Sequence, residues 1–156
     1  MSEAIVKRLA DAGHQLPKAS APAGDYVAYT LAGDLLTVSG QLPFDQNGEL
    51  RYVGRLGENF GIEEGQAAAA LCALNVVAQF AAAVDGDLDR IARVLRIGVF
   101  VHATPAFGDH PKVANGASAV MATAFGDAGK HARAAVGCVS LPFGVAVEVE
   151  ATAQLR

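Results

Sequence analysis

The residues able to do chemistry in this chain lie toward its C-terminal end. Arg133 opens a run of small and apolar residues, Ala134, Ala135, Val136, Gly137 and Cys138, so a fixed cation stands beside uncrowding neighbours. A guanidinium offers planar, bidentate donors matched to a carboxylate, which suits an amino-acid-like substrate better than an ammonium would. The plainer alternative is a strand-end arginine in solvent, or one in a structural ion pair with Glu148 or Glu150. Glu148 lies between Val147 and Val149. Burial there would raise its proton affinity and let it orient a water, whereas an ordinary solvent-facing strand residue would do neither, and the same choice applies to Glu150.

Other chemistries find less support. The four histidines, His14, His102, His110 and His131, are far apart and lack H-x-x-x-H or H-x-E spacing, so no metal centre is expected. Cys72 and Cys138 sit in apolar stretches without C-x-x-C spacing, which excludes a disulfide framework and fits a reducing cytoplasm. No G-x-S-x-G and no glycine-rich phosphate loop occurs, so neither an acyl-enzyme nor a bound cofactor is expected. Gly24, Gly40 and Gly116 read as turn or packing residues.

A chain of 156 residues, 52% hydrophobic and 18% charged, has the size and apolar content of one domain spanning 1–156. Its net charge is -4 and no run of lysines or arginines occurs, so nucleic acid is not an expected partner. The N-terminal residues mix Glu3, Lys7, Arg8 and Asp11 without an apolar signal core, and the alanine-rich, charge-free run at 65–84 is read as a buried helix rather than a membrane span. Neither export nor a membrane is expected.

The elements that must position Arg133 and Glu148 follow from periodicity. Residues 2–12 read as a short amphipathic helix ended by Gly13, and with the Pro-containing connector they fill 1–23. Tyr26 to Leu31 and Leu35 to Ser39 read as a hairpin around Gly33. Gly40 to Glu58, broken by Pro43, Gly48, Gly54 and Gly57, reads as an irregular surface excursion. Ile62 to Val84 is a buried helix with Glu63 and Glu64 in its first turn. Ile91 to His102 is a central strand, and His110 to Phe125 a second long helix in which Gly116 costs about 1 kcal/mol relative to alanine. Ala132 to Val139 and Val145 to Ala153 complete the sheet. The expected fold is therefore α+β, a mixed sheet with two long helices on one face. The last strand alternates, so one set of side chains faces the helices while the set with Glu148 and Glu150 faces solvent or, in an oligomer, a neighbouring subunit.

Several motifs agree, in order, with one known family. Gly24-Asp25-Tyr26-Val27 is similar to its G-x-Y-V, and Ser39-Gly40-Gln41-Leu42-Pro43 to its S-G-Q-[IL]-P. Ala132-Arg133-Ala134-Ala135-Val136, then Leu141-Pro142 and Val147-Glu148-Val149-Glu150, resemble A-R-x-x-V, L-P and [IV]-E-[IV]-E, with Asn115 at the matching distance before Arg133. Over Gly24 to Ala153 the chain thus resembles the RidA/YjgF reactive-intermediate deaminases, in a longer subgroup.

The resemblance implies a chorismate-mutase-like fold, a homotrimer with clefts between subunits, and hydrolysis of 2-imino or enamino acids to 2-oxo acids and ammonia without cofactor or metal. Arg133 would hold the substrate carboxylate, Glu148 would activate the water, and Tyr26, Ser39, Gly40 and Asn115 would line or support the pocket. Two positions depart from close deaminases: His131 where proline or alanine is usual, and Ala135 where a cysteine stands. The alternative is a non-catalytic trimer binding small carboxylates or a partner protein. An endoribonuclease role, a label carried by some relatives, is disfavoured by the charge and by the lack of paired histidines.

Overall fold

The computed structural model describes residues 2–156. Its elements run α1 (Glu3–Asp11), β1 (Tyr29–Ala32), β2 (Leu35–Gln41), α2 (Ile62–Ala83), β3 (Ile91–His102), α3 (His110–Phe125), β4 (Ala132–Cys138) and β5 (Val147–Leu155). The strands form one mixed sheet in the order β1-β2-β5-β3-β4. β3 and β4 pair in parallel, joined by the α3 crossover, and every other pairing is antiparallel.

Alternation along the strands separates two faces. Val147, Val149, Ala151 and Ala153 of β5, with Ile97, Val99 and Val101 of β3, are buried beneath the helices. Glu148, Glu150, Phe100 and Val136 fall on the opposite, uncovered face, where Val136 is 48% exposed and Leu35 of β2 42%.

α2 is long and apolar enough by composition to cross a bilayer, yet it is the central core helix, with Cys72, Ala73, Val76, Val77 and Phe80 fully buried. The Glu64 carboxylate accepts from the Gly61 N–H at 3.0 Å, which satisfies one of the free donors at the start of that helix. α2 and α3 approach closely at Gly116, where a β-carbon would lie 2.8 Å from the Gln66 Cα. The sequence marks Gly116 as a cost to helix formation, and this contact is the reason for it. α1 packs on α3, and Arg8 donates to the carbonyls of Thr123 (3.2 Å) and Ala124 (2.6 Å), acceptors left free in the last turn of α3.

Several boundaries shift by a residue or two from the sequence expectation, and three departures are larger or change the reading. β1 begins at Tyr29 rather than Tyr26, because residues 23–26 bend, with the Tyr26 N–H bonded to the Gly24 carbonyl. β5 begins at Val147 rather than Val145, since a 3-10 turn over Pro142–Gly144 with Phe143 at φ 57° diverts the chain. The segment 40–58 is irregular as expected but is not confined to the surface. Leu56 is fully buried and bonds the backbone of His102 and Thr104, so the loop is sewn to the end of β3.

Candidate functional site

Arg133 stands in register with Ile97 and projects toward the helical layer. Its Nη1 donates to Asn115 Oδ1 at 2.9 Å and to Ser118 Oγ at 3.1 Å, and Nη2 donates to the Pro111 carbonyl at 3.2 Å. Pro111, Asn115 and Ser118 are spaced four and three apart, so one face of α3 supplies the whole cradle. A guanidinium carries five N–H groups and three are engaged, which leaves two for a ligand. The arginine is exposed, and neither Glu148 nor Glu150 neutralises it, because Glu150 pairs instead with Arg96 at 3.2 Å.

Ser118 also meets His131, with Oγ and Nε2 3.0 Å apart, while His131 Nδ1 lies 2.6 Å from the Gly129 carbonyl. A carbonyl can only accept, so Nδ1 carries the proton. Burial lowers the proton affinity of His131; the Gly129 carbonyl opposes that effect and the Arg133 charge adds to it. In the neutral ring Nε2 accepts from the Ser118 hydroxyl, whose lone pairs are then turned to Arg133.

Glu148 lies on the other face, in register with Phe100. It is half-buried, and its carboxyl is held above the usual carboxylate range, first by burial and then by the Glu150 charge. β2 bulges opposite it between Val38 and Gln41, and Gly40 sits so near that a β-carbon there would be 2.9 Å from Glu148 Cδ. A glycine is what lets the backbone approach the carboxylate.

The site residues proposed from sequence thus fall into two groups. Asn115 supports Arg133, and Gly40 adjoins Glu148. Tyr26 and Gly40 share a shallow cleft with Pro22, Ala28 and Phe44; Ser39 donates to the Val27 carbonyl at 2.7 Å instead of lining it. Within one chain Arg133 and Glu148 do not converge, since they project from opposite faces of the sheet. Sequence reading missed Ser118 and gave His131 no role, although the three-residue step from Asn115 to Ser118 is a signal that they share a helix face.

Sheet order, crossover and helical layer define a chorismate-mutase-like α+β protein. The chain belongs to the RidA/YjgF family: residues 6–155 match the family described as "YjgF/chorismate_mutase-like, putative endoribonuclease". It is 48% identical over 153 residues to Protein TCP17 of Trypanosoma cruzi, covering 97% of this chain and 94% of that one. The crystal structure of Atu1372 from Agrobacterium tumefaciens, a protein of unknown function, superposes with a TM-score of 0.93 at 43% identity, covering 99% of this chain and 94% of that one. RidA from the Antarctic bacterium Psychrobacter sp. PAMC 21119 is more distant, with a TM-score of 0.61 at 28% identity, covering 88% and 94%.

Proposed function

We propose that this protein hydrolyses reactive 2-imino and enamino acids to 2-oxo acids and ammonia, in clefts between the subunits of a homotrimer. The observation that carries the reading is the anchored Arg133 with two N–H groups free, a ready clamp for a substrate carboxylate. Because Glu148 projects from the other face, the cleft must pair the arginine of one subunit with the glutamate of the next. The uncovered sheet face, bearing Phe100, Val136 and Leu35, supplies an apolar surface for that contact.

The chemistry asks little of the protein. A protonated imine is already electrophilic at C2, so holding it beside an oriented water supplies much of the acceleration. Water adds to C2 as Glu148 takes its proton, giving a carbinolamine. Glu148 returns that proton to nitrogen, the C–N bond breaks, and ammonia leaves as the hydroxyl proton passes back to the carboxylate. Its raised proton affinity suits a group that must both accept and return a proton.

The test is release of ammonia from enzymatically generated 2-iminobutanoate. Acceleration by the wild type and its loss in Arg133→Ala are expected. No acceleration, or full activity in Arg133→Ala, rejects the reading, and tight binding of 2-oxobutanoate without turnover would make the protein a carboxylate-binding trimer instead.

A further inference from the structure

His131 and Ser118 form a hydrogen-bonded relay behind the clamp. It runs from the Gly129 carbonyl through the imidazole to the Ser118 hydroxyl and on to Arg133 Nη1, in steps of 2.6, 3.0 and 3.1 Å. The donor assignment closes only one way when the ring is neutral: Nδ1–H to Gly129, Ser118 O–H to Nε2, Nη1–H to Ser118. Removing the ring leaves the serine hydroxyl free to rotate, and the guanidinium then keeps Asn115 and Pro111 as its only oriented acceptors.

We propose that His131, acting through Ser118, is a positioning residue for Arg133, and that filling of the clamp by a carboxylate is coupled to protonation of His131. The coupling rests on the carboxylate-clamp reading above; the positioning does not. Its sign follows from electrostatics. Arg133 disfavours a proton on His131. A carboxylate that neutralises Arg133 removes that repulsion, so the imidazole holds its proton more tightly, and by reciprocity the carboxylate binds more tightly when the imidazole is charged.

The neighbouring charges do not replace this effect. On the elements packed near His131, Asp127 of the turn 126–129 pairs with Lys130, Arg93 of β3 bonds the Lys130 carbonyl, Arg96 of β3 pairs with Glu150, and Lys112 pairs with Asp109 at the start of α3. Among the described residues, Arg133 is the charge that disfavours the imidazole proton.

The experiment uses the full-length protein, with 2-oxobutanoate as probe, followed by calorimetry between pH 5.5 and 8 and by NMR of the His131 ring and the Arg133 Nε–H. Saturation with 2-oxobutanoate is expected to move the His131 titration midpoint upward by roughly 0.5 to 1 pH unit, equivalent to an affinity about 3- to 10-fold tighter with the ring protonated. Glu148 can add its own pH dependence, so the comparison is with His131→Gln, which retains an acceptor for Ser118 but does not titrate. That variant should lose the His131 component of the pH profile while binding within about threefold of wild type at pH 8. In His131→Ala and Ser118→Ala the Arg133 Nε–H resonance should broaden and binding weaken about 10-fold.

A midpoint unmoved by saturating 2-oxobutanoate, in a protein whose binding still requires Arg133, overturns the coupling. An unchanged Arg133 resonance in both alanine variants overturns the positioning role. If wild type does not bind 2-oxobutanoate at all, the clamp reading and the coupling fail together, while the resonance of ligand-free His131→Ala still decides whether the relay holds the arginine.

Discussion

Replacing Gly116 by alanine sets two magnitudes against each other. Alanine is the better helix former by about 1 kcal/mol, so on propensity alone Gly116→Ala would stabilise α3. The new β-carbon, however, would lie 2.7 Å from the Gln66 carbonyl carbon and 2.8 Å from its Cα. Carbon atoms settle near 3.5–4.0 Å, so α3 must retreat from the α2 backbone by about 1 Å. The obstacle is main chain in a buried helix, which cannot swing aside as a side chain could. Overpacking of this kind costs about 1–3 kcal/mol, and at the upper end it leaves a net loss of about 2 kcal/mol. For a domain of this size that corresponds to a melting temperature lower by about 4–8 °C. Thermal and denaturant unfolding at matched protein concentration measure it. The same retreat would carry Asn115 and Ser118 away from Arg133, so binding of 2-oxobutanoate should weaken in parallel. A variant that melts above the wild-type temperature would refute the close-approach argument.

Further outcomes are expected at the site and at the N-terminal helix. Arg133→Lys should bind 2-oxo acids at least about 10-fold more weakly than wild type by calorimetry, because an ammonium retains the charge but not the paired donors. Glu148→Gln should keep carboxylate binding and lower kcat by about 10²- to 10⁴-fold in the ammonia assay. As Glu148 must be ionised to accept a proton and its carboxyl sits above the ordinary value of 4.5, wild-type activity should fall as pH drops through that raised pKa, and the limb should be missing in Glu148→Gln. His131 has its proton affinity lowered on folding, so it contributes stability above its ordinary pKa of 6.5 that is lost as pH falls below it; a smaller acid-side loss in His131→Gln, seen by denaturant titration at pH 5 and 8, checks this. Arg8→Ala removes two bonds to the C-terminal carbonyls of α3 and should cost about 1–2 kcal/mol in unfolding free energy.

The periodic elements were legible from residues alone. The strand and helix at 91–102 and 110–125 match the structure residue for residue, and α2 ends one residue early. Sharp patterning and capping glycines explain that success. Tyr26 and Val27 have strong β-propensity, but propensity cannot register that the chain bends at 23–26 before it can pair, so β1 starts later than expected. Leu56 carried too little local pattern to announce that its loop enters the core. Arg133 and Glu148 were both identifiable as candidates, but which face each takes depends on the register of β4 on β3 and of β3 on β5, a long-range property absent from local spacing. The relay was hidden for the same reason: Ser118 and His131 meet only once the crossover helix folds back on the edge strand.

The opposed orientation of the arginine and the glutamate has a genetic corollary. On the proposed trimeric assembly, two inactive proteins, one lacking the guanidinium and the other the carboxylate, should rescue each other when unfolded together and refolded as mixed oligomers. With random assortment about a quarter of the clefts would inherit an intact half from each parent. Were a single polypeptide to furnish both groups to the same cleft, no such complementation could arise.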